Sequence, residues 1–220
     1  MTLILAAAHQ AGWLGQAIDL SVEWLLANAQ GLFDLIKVSV LALVSVTEMV
    51  LEWPPAWMFA LITAALGFWR VNGGFALFVL LGFNLVLSMA LWSEMIATLS
   101  LVITASGLAL LIGLPLGILS ARSRLVWRLV RPCLDLMQTM PAFVYLIPAV
   151  MLFSTGAVPS ILATLIFAMP PVVRLTHLGI IQVPDDLIEA GRSFGCSDRQ
   201  LLWKVQMPSA IPTVMTGVNQ

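Results

Sequence analysis

The stretch that most constrains this chain is a polar interruption, PDDLIEAGRSFGCSDRQLLWKVQMP, running from Pro184 to Pro208 between apolar segments. Pro184 can open a helix because its missing N–H would have no partner in the first turn. Asp185 and Asp186 follow where the positive end of the helix dipole favours a carboxylate. With Asp186 as N-cap and Glu189 three residues on, the pattern predicts a capping box and a helix to about Phe194. Gly195 can take a left-handed conformation without steric cost, and Ser197 with Gln200 forms a second capping box, predicting a helix through Gln206 that Pro208 stops. Two short helices around a glycine elbow, bearing Asp185, Asp186, Glu189, Arg192, Asp198, Arg199 and Lys204, cannot sit in hydrocarbon and must project into water.

The rest of the chain is what makes this elbow unusual. Hydrophobic residues make up 60% of the sequence and charged ones 10%, against about a quarter in soluble globular domains. The expected fold is therefore an all-α, polytopic transmembrane helical bundle. Residues 1–52 form an N-terminal region in which Asp19, Glu23, Asp34, Lys37, Glu48 and Glu52 alternate with Trp24, Leu25, Gly31, Leu32, Leu35, Ile36 and Leu43, a pattern of amphipathic, interfacial helices. The run Val38–Val46 is too short to span alone but could be the middle of a tilted span, and both readings stand. Residues 53–220 form the membrane domain, with five spans expected at about 53–69, 75–92, 95–120, 136–153 and 158–173, and a sixth beginning after Pro208. In the third span Ala105, Ala109, Gly113 and Gly117 recur every four residues, a small-residue face that admits a close neighbour. Pro115 should kink its end, and Pro170-Pro171 should bend or end the fifth span before Arg174.

Charge sets the orientation. If the first of these spans exits into the cytoplasm at Arg70, nine of the ten Lys and Arg residues fall inside: Arg70, Arg122, Arg124, Arg128, Arg131, Arg174, Arg192, Arg199 and Lys204. This satisfies the positive-inside rule, leaves the N-terminal region outside and puts the elbow in the cytoplasm. The basic residues form no aromatic-interleaved stripe, so nucleic acid is not a partner, whereas membrane lipid is. Cys133 and Cys196 fall in cytoplasmic segments and read as reduced thiols. The first fifteen residues are apolar but lack a basic start, so no cleaved leader is expected.

Within the elbow, Glu189-Ala190-Gly191, Gly195, Val205 and Met207-Pro208 fall at a fixed spacing. This pattern resembles the loop through which permeases of binding-protein-dependent ABC importers dock on their ATPase, with Val205 and Met207 at positions more commonly Ile and Leu. A wider stretch, from about Ala90 to Gln220 and including GLPLG from Gly113 to Gly117, is similar to permease subunits of glycine betaine and related quaternary-ammonium importers. The resemblance implies a type I ABC importer permease in an inner membrane. Its partners would be an ATPase subunit, a solute-binding protein outside and a second permease copy. ATP and Mg would be bound by the ATPase, this chain needing no cofactor. Such permeases continue further, so the chain is expected to be truncated at its C-terminal end. The cargo implied is glycine betaine, choline or a proline-type betaine. Another small solute such as an amino acid, or a passive osmotic channel, are the alternatives.

No catalytic or metal constellation is visible: His9 and His177 lie far apart, and no HExxH, GxSxG or Walker loop occurs. His177 reads as a loop or helix-end residue, and Glu189 either caps its own helix or pairs with a partner's cation. Polar residues at membrane depth are costly unless they meet other helices or a cavity, which marks Asn84, Thr104, Gln138, Thr139 and Tyr145 as pathway candidates. Each could instead make an interhelical hydrogen bond. Gln138-Thr139-Met140-Pro141 is the strongest, because Pro141 interrupts a helix and frees backbone carbonyls. No aromatic cage for a quaternary ammonium group is evident, so ligand selection is assigned mainly to the binding protein.

Overall fold

A computed structural model describes Gly15, Leu20, Trp24 and residues 27–220; the expectations placed on residues 1–15, His9, Asp19, Glu23 and Leu25 lie outside the described residues, Gly15 apart. Every regular element among the described residues is helical. The N-terminal amphipathic pattern gives one continuous helix, α1 (Gln30–Glu52), which buries Val40 and Val44. It is followed by α2 (Ala56–Arg70) and α3 (Gly73–Ser88), by the long α4 (Trp92–Arg122), by α5 (Arg124–Thr139) and α6 (Ala142–Phe153), and by α7 (Ala157–Ile181).

α4 and α7 are the most extensively packed pair. The four-residue repeat explains why: Ala105 and Ala109 are buried on α4, and a methyl group built on Gly113 would come within 2.9 Å of Val172, one on Gly117 within 2.6 Å of Thr176. Equal steps along both chains show that α4 and α7 run in the same direction. Their far ends, at Arg122 and Ile181, therefore lie at one end of the bundle. Both are long and apolar enough to cross a membrane, and α5 and α6, bent by 98° where they meet, are long and apolar enough only when taken together, as a broken span or a re-entrant loop.

Four expectations about helices need correction. The first two expected spans are shorter apolar helices of 15 and 16 residues, α2 and α3, joined by a turn in which Asn72 caps α3 through the Phe75 N–H at 2.8 Å. At about 1.5 Å per residue each is shorter than a hydrocarbon core of about 30 Å. The expected fourth span is not one helix, since Met140 and Pro141 adopt extended backbone between α5 and α6. The basic segment before it is itself α5, capped by Ser123, whose side chain accepts from Val126. Of the two outcomes expected at Pro170 and Pro171, bending or ending the span, the second is excluded, since α7 runs ten residues beyond them; Pro115, expected to kink the end of its span, lies inside α4. A proline removes one N–H donor and crowds one carbonyl, a local cost that these long helices absorb.

Candidate functional site

The elbow begins with α8 (Asp185–Ser193), whose N-cap is Pro184 rather than Asp186. Asp185 and Asp186 occupy the first turn, so they act through the dipole and not as caps, and the expected capping role for Glu189 is absent. α8 ends in a Schellman turn: the Cys196 N–H donates to the Gly191 carbonyl at 3.1 Å and the Gly195 N–H to the Arg192 carbonyl at 2.9 Å. Gly195 sits at φ +78°, the left-handed conformation expected of it. The chain restarts with α9 (Asp198–Leu201) under the second capping box, formed as expected: Ser197 Oγ accepts from the Gln200 N–H, and the Ser197 N–H donates to Gln200 Oε1 at 2.9 Å.

Pro208 does not stop this helix. A π-turn, Leu202–Gln206, intervenes, with the Met207 N–H reaching back to the Leu202 carbonyl, and α10 (Met207–Val218) then continues through Pro208. The proline ring would clash with the carbonyl four residues back, that of Lys204; the wider π-turn contains that residue and makes room. The motif positions thus have distinct local jobs. Gly191 is buried because Leu201 crosses it, a built methyl falling 2.7 Å from Leu201 Cδ1 and 3.4 Å from Val205 Cγ2. Leu202, which the sequence reading passed over, packs with Ile180, Ala210 and Val214 and roots the elbow in α7 and α10. Its signal was a Leu-Leu pair opening the second helix, the side facing back toward the bundle. On the outer face Phe194 is 89% exposed, and Leu187, Glu189, Ala190 and Trp203 are exposed with it. Among the described residues Glu189 has no side-chain hydrogen bond or ion pair.

A second polar feature lies between α5 and α7. Arg124, Arg128, Arg131, Asp135 and Gln138 are spaced four, three, four and three residues apart, one stripe along α5. Arg131, Asp135 and Gln138 line a cavity of about 480 Å³ together with Trp127, Arg174 and His177. Arg174 donates to Asp135 Oδ1, the one ion pair among the described residues. His177 is not at a helix end; it is buried within α7, stacked on Trp127 with ring centroids 3.8 Å apart and planes 9° from parallel.

The expected pathway residues separate. Gln138 lines this cavity, Thr139 donates to the Leu136 carbonyl beside it, and Pro141 forms the break that ends α5. Tyr145, one turn into α6, has a buried hydroxyl without a hydrogen-bond partner among the described residues. Asn84 is exposed on α3, outside the cavity. Thr104 is buried and hydrogen-bonded to Thr47 at 3.2 Å, so it joins α1 to α4. The sequence reading missed Asp135 and Trp127, although the polar stripe on α5 was readable.

Residues 113–219 match the family described as binding-protein-dependent transport system inner membrane component. The chain is 45% identical to the glycine betaine transport system permease protein OpuAB of Bacillus subtilis, over 94% of this chain and 73% of that protein. It is 46% identical to the glycine betaine/proline betaine transport system permease protein ProW of Escherichia coli, over 94% of this chain and 58% of that protein. The glycine betaine/carnitine transport permease protein GbuB of Listeria monocytogenes is 44% identical, over 96% of this chain and 74% of its own length. An all-helical fold, the matched segment from Gly113 through the elbow, and relatives of this identity agree, and the chain belongs to the family of binding-protein-dependent transport system inner membrane components, as a multi-pass permease subunit.

Proposed function

We propose that this chain is the membrane-spanning subunit of an ABC importer that moves a quaternary-ammonium compatible solute, such as glycine betaine, choline or a proline-type betaine, into the cell. The relatives' cargoes, glycine betaine and proline betaine, support the solute class. ATP and Mg belong to a separate ATPase subunit, the solute is delivered by a binding protein on the outer side, and two permease copies form the pore. The elbow lies in the cytoplasm, in keeping with the basic residues around it. The observation that carries this reading is an elbow held in shape from within by Gly191, Gly195, Leu201 and Leu202 while Leu187, Glu189, Ala190 and Phe194 remain exposed for a partner.

In this mechanism the ATPases close on ATP and press on α8. Leu202, packed with residues of both α7 and α10, passes that displacement to the spans, which open outward to receive solute; hydrolysis resets them. The test is ATP-dependent uptake of glycine betaine into vesicles holding the assembled importer. Gly195→Trp should abolish uptake while the subunit still inserts. Uptake that persists without the ATPase would leave a passive channel as the correct reading.

A further inference from the structure

The cavity between α5 and α7 contains more polar chemistry than packing requires. Asp135 offers a carboxylate, Arg174 a guanidinium and Trp127 an indole, and His177 covers one face of that indole. Arg174 Nε and His177 Nδ1 are buried and have no hydrogen-bond partner among the described residues. Buried polar groups left unpaired are costly and are normally satisfied by a ligand or by water. The volume, about 480 Å³, is that of a small-molecule site.

Resting on the solute class proposed above, we infer that this cavity is a low-affinity transit site for a zwitterion, in which the solute's carboxylate pairs with Arg174 and with Arg131, the cation that stands between Trp127 and Asp135 on the same face of α5, and its quaternary ammonium group lies against the Asp135 carboxylate and the Trp127 ring. The Arg174–Asp135 ion pair is the site's empty configuration. Its side chains are 36% and 50% exposed, and ion pairs so exposed contribute little, so a zwitterion can insert between them with each charge exchanging one partner for another. The exchange is neutral overall, which suits a site that must release as readily as it binds. A quaternary ammonium group has no N–H to donate, and an aromatic face beside a carboxylate is what attracts it. Gln138 lines the site, and the extended Met140-Pro141 segment follows two residues later, placing the site near the break between α5 and α6.

The test uses the permease–ATPase complex in nanodiscs, without binding protein, and saturation-transfer NMR with glycine betaine as the probe. Saturation should reach the N-methyl protons in the wild type and fall by about ten-fold in Asp135→Asn and Trp127→Leu, the loss expected when one charge-assisted or cation–π contact is removed. In the assembled importer the same variants should lose uptake while liganded binding protein still stimulates ATP hydrolysis. The swap Asp135→Arg with Arg174→Asp separates this role from a structural tie between helices. A tie would be rescued by the swap; an oriented zwitterion site would not, because the cationic end would no longer face Trp127. Rescue, or unchanged saturation transfer in the variants of an importer that does carry glycine betaine, overturns the site and leaves the proposed function standing. An assembled importer that carries no glycine betaine overturns the function itself and this inference with it.

Discussion

Gly195 takes φ +78° with nothing within 4 Å of a built methyl, whereas Gly191 has an ordinary backbone and a crowded neighbour. The two should respond to substitution for different reasons, backbone conformation at Gly195 and space at Gly191. Gly195→Asn should be tolerated, since Asn enters the left-handed region, while Gly195→Ala should loosen the elbow by about 1 kcal/mol and speed its amide exchange about five-fold. Hydrogen–deuterium exchange over residues 185–206 reads this directly. Gly191→Ala should destabilise by about 1–3 kcal/mol through overpacking on Leu201. Adding Leu201→Ala should make room, so the double variant should fall short of the summed losses by about 1 kcal/mol. Gly195 was legible in the sequence because a turn demands a backbone conformation that one residue type supplies. Gly191 was legible only as part of a pattern, because the atom it makes way for comes from another helix.

Elements were legible where a periodic signal was strong and short-ranged. The small-residue face of α4 announced a close partner, and α7 fills it. The graded crowding there gives a further expectation: the nearest atoms to a methyl on Gly113 are side-chain atoms of Val172 and Met169, but one on Gly117 also meets the Val173 carbonyl at 2.9 Å. A side chain can rotate away and a helical carbonyl cannot. Gly117→Ala should therefore lower the thermal stability of the purified permease by about 1–3 kcal/mol, and Gly113→Ala by less. Prolines were the least legible signals. Pro141 separates α5 from α6, whereas Pro115, Pro170 and Pro171 are absorbed inside helices and Pro208 is absorbed by a π-turn. A proline's local rule does not tell these outcomes apart. α5 and α6 turn through 98° at Pro141 because Met140, preceding a proline, is pushed to ψ 136°. Pro141→Ala removes that restriction and should straighten the α5–α6 pair, shortening no helix but lowering uptake; spin-label distances between α5 and α6 would report the straightening.

At the scale of the molecule, the parallel run of α4 and α7 places the start of α5 and the elbow at one end of the bundle, so Arg122, Arg124, Arg192, Arg199 and Lys204 share a side irrespective of any charge rule. The large apolar side chains left uncovered along the bundle, Phe78, Leu111 and Phe143 among them at 70–72% exposure, require hydrocarbon or another subunit around them. Sequence charge counts and helix geometry thus bring the same residues together by separate routes, and the proposed cytoplasmic placement of that end rests on the positive-inside rule. Cys196, half-buried beside Gly195, is a natural probe of it, provided exposed Cys133 on α5 is replaced by serine. A membrane-impermeant maleimide should then label Cys196 in inverted vesicles and leave it unmodified in intact cells. Labelling in intact cells would put the elbow outside, beyond reach of any ATPase, and no arrangement of the spans that keeps α4 and α7 parallel could bring it back.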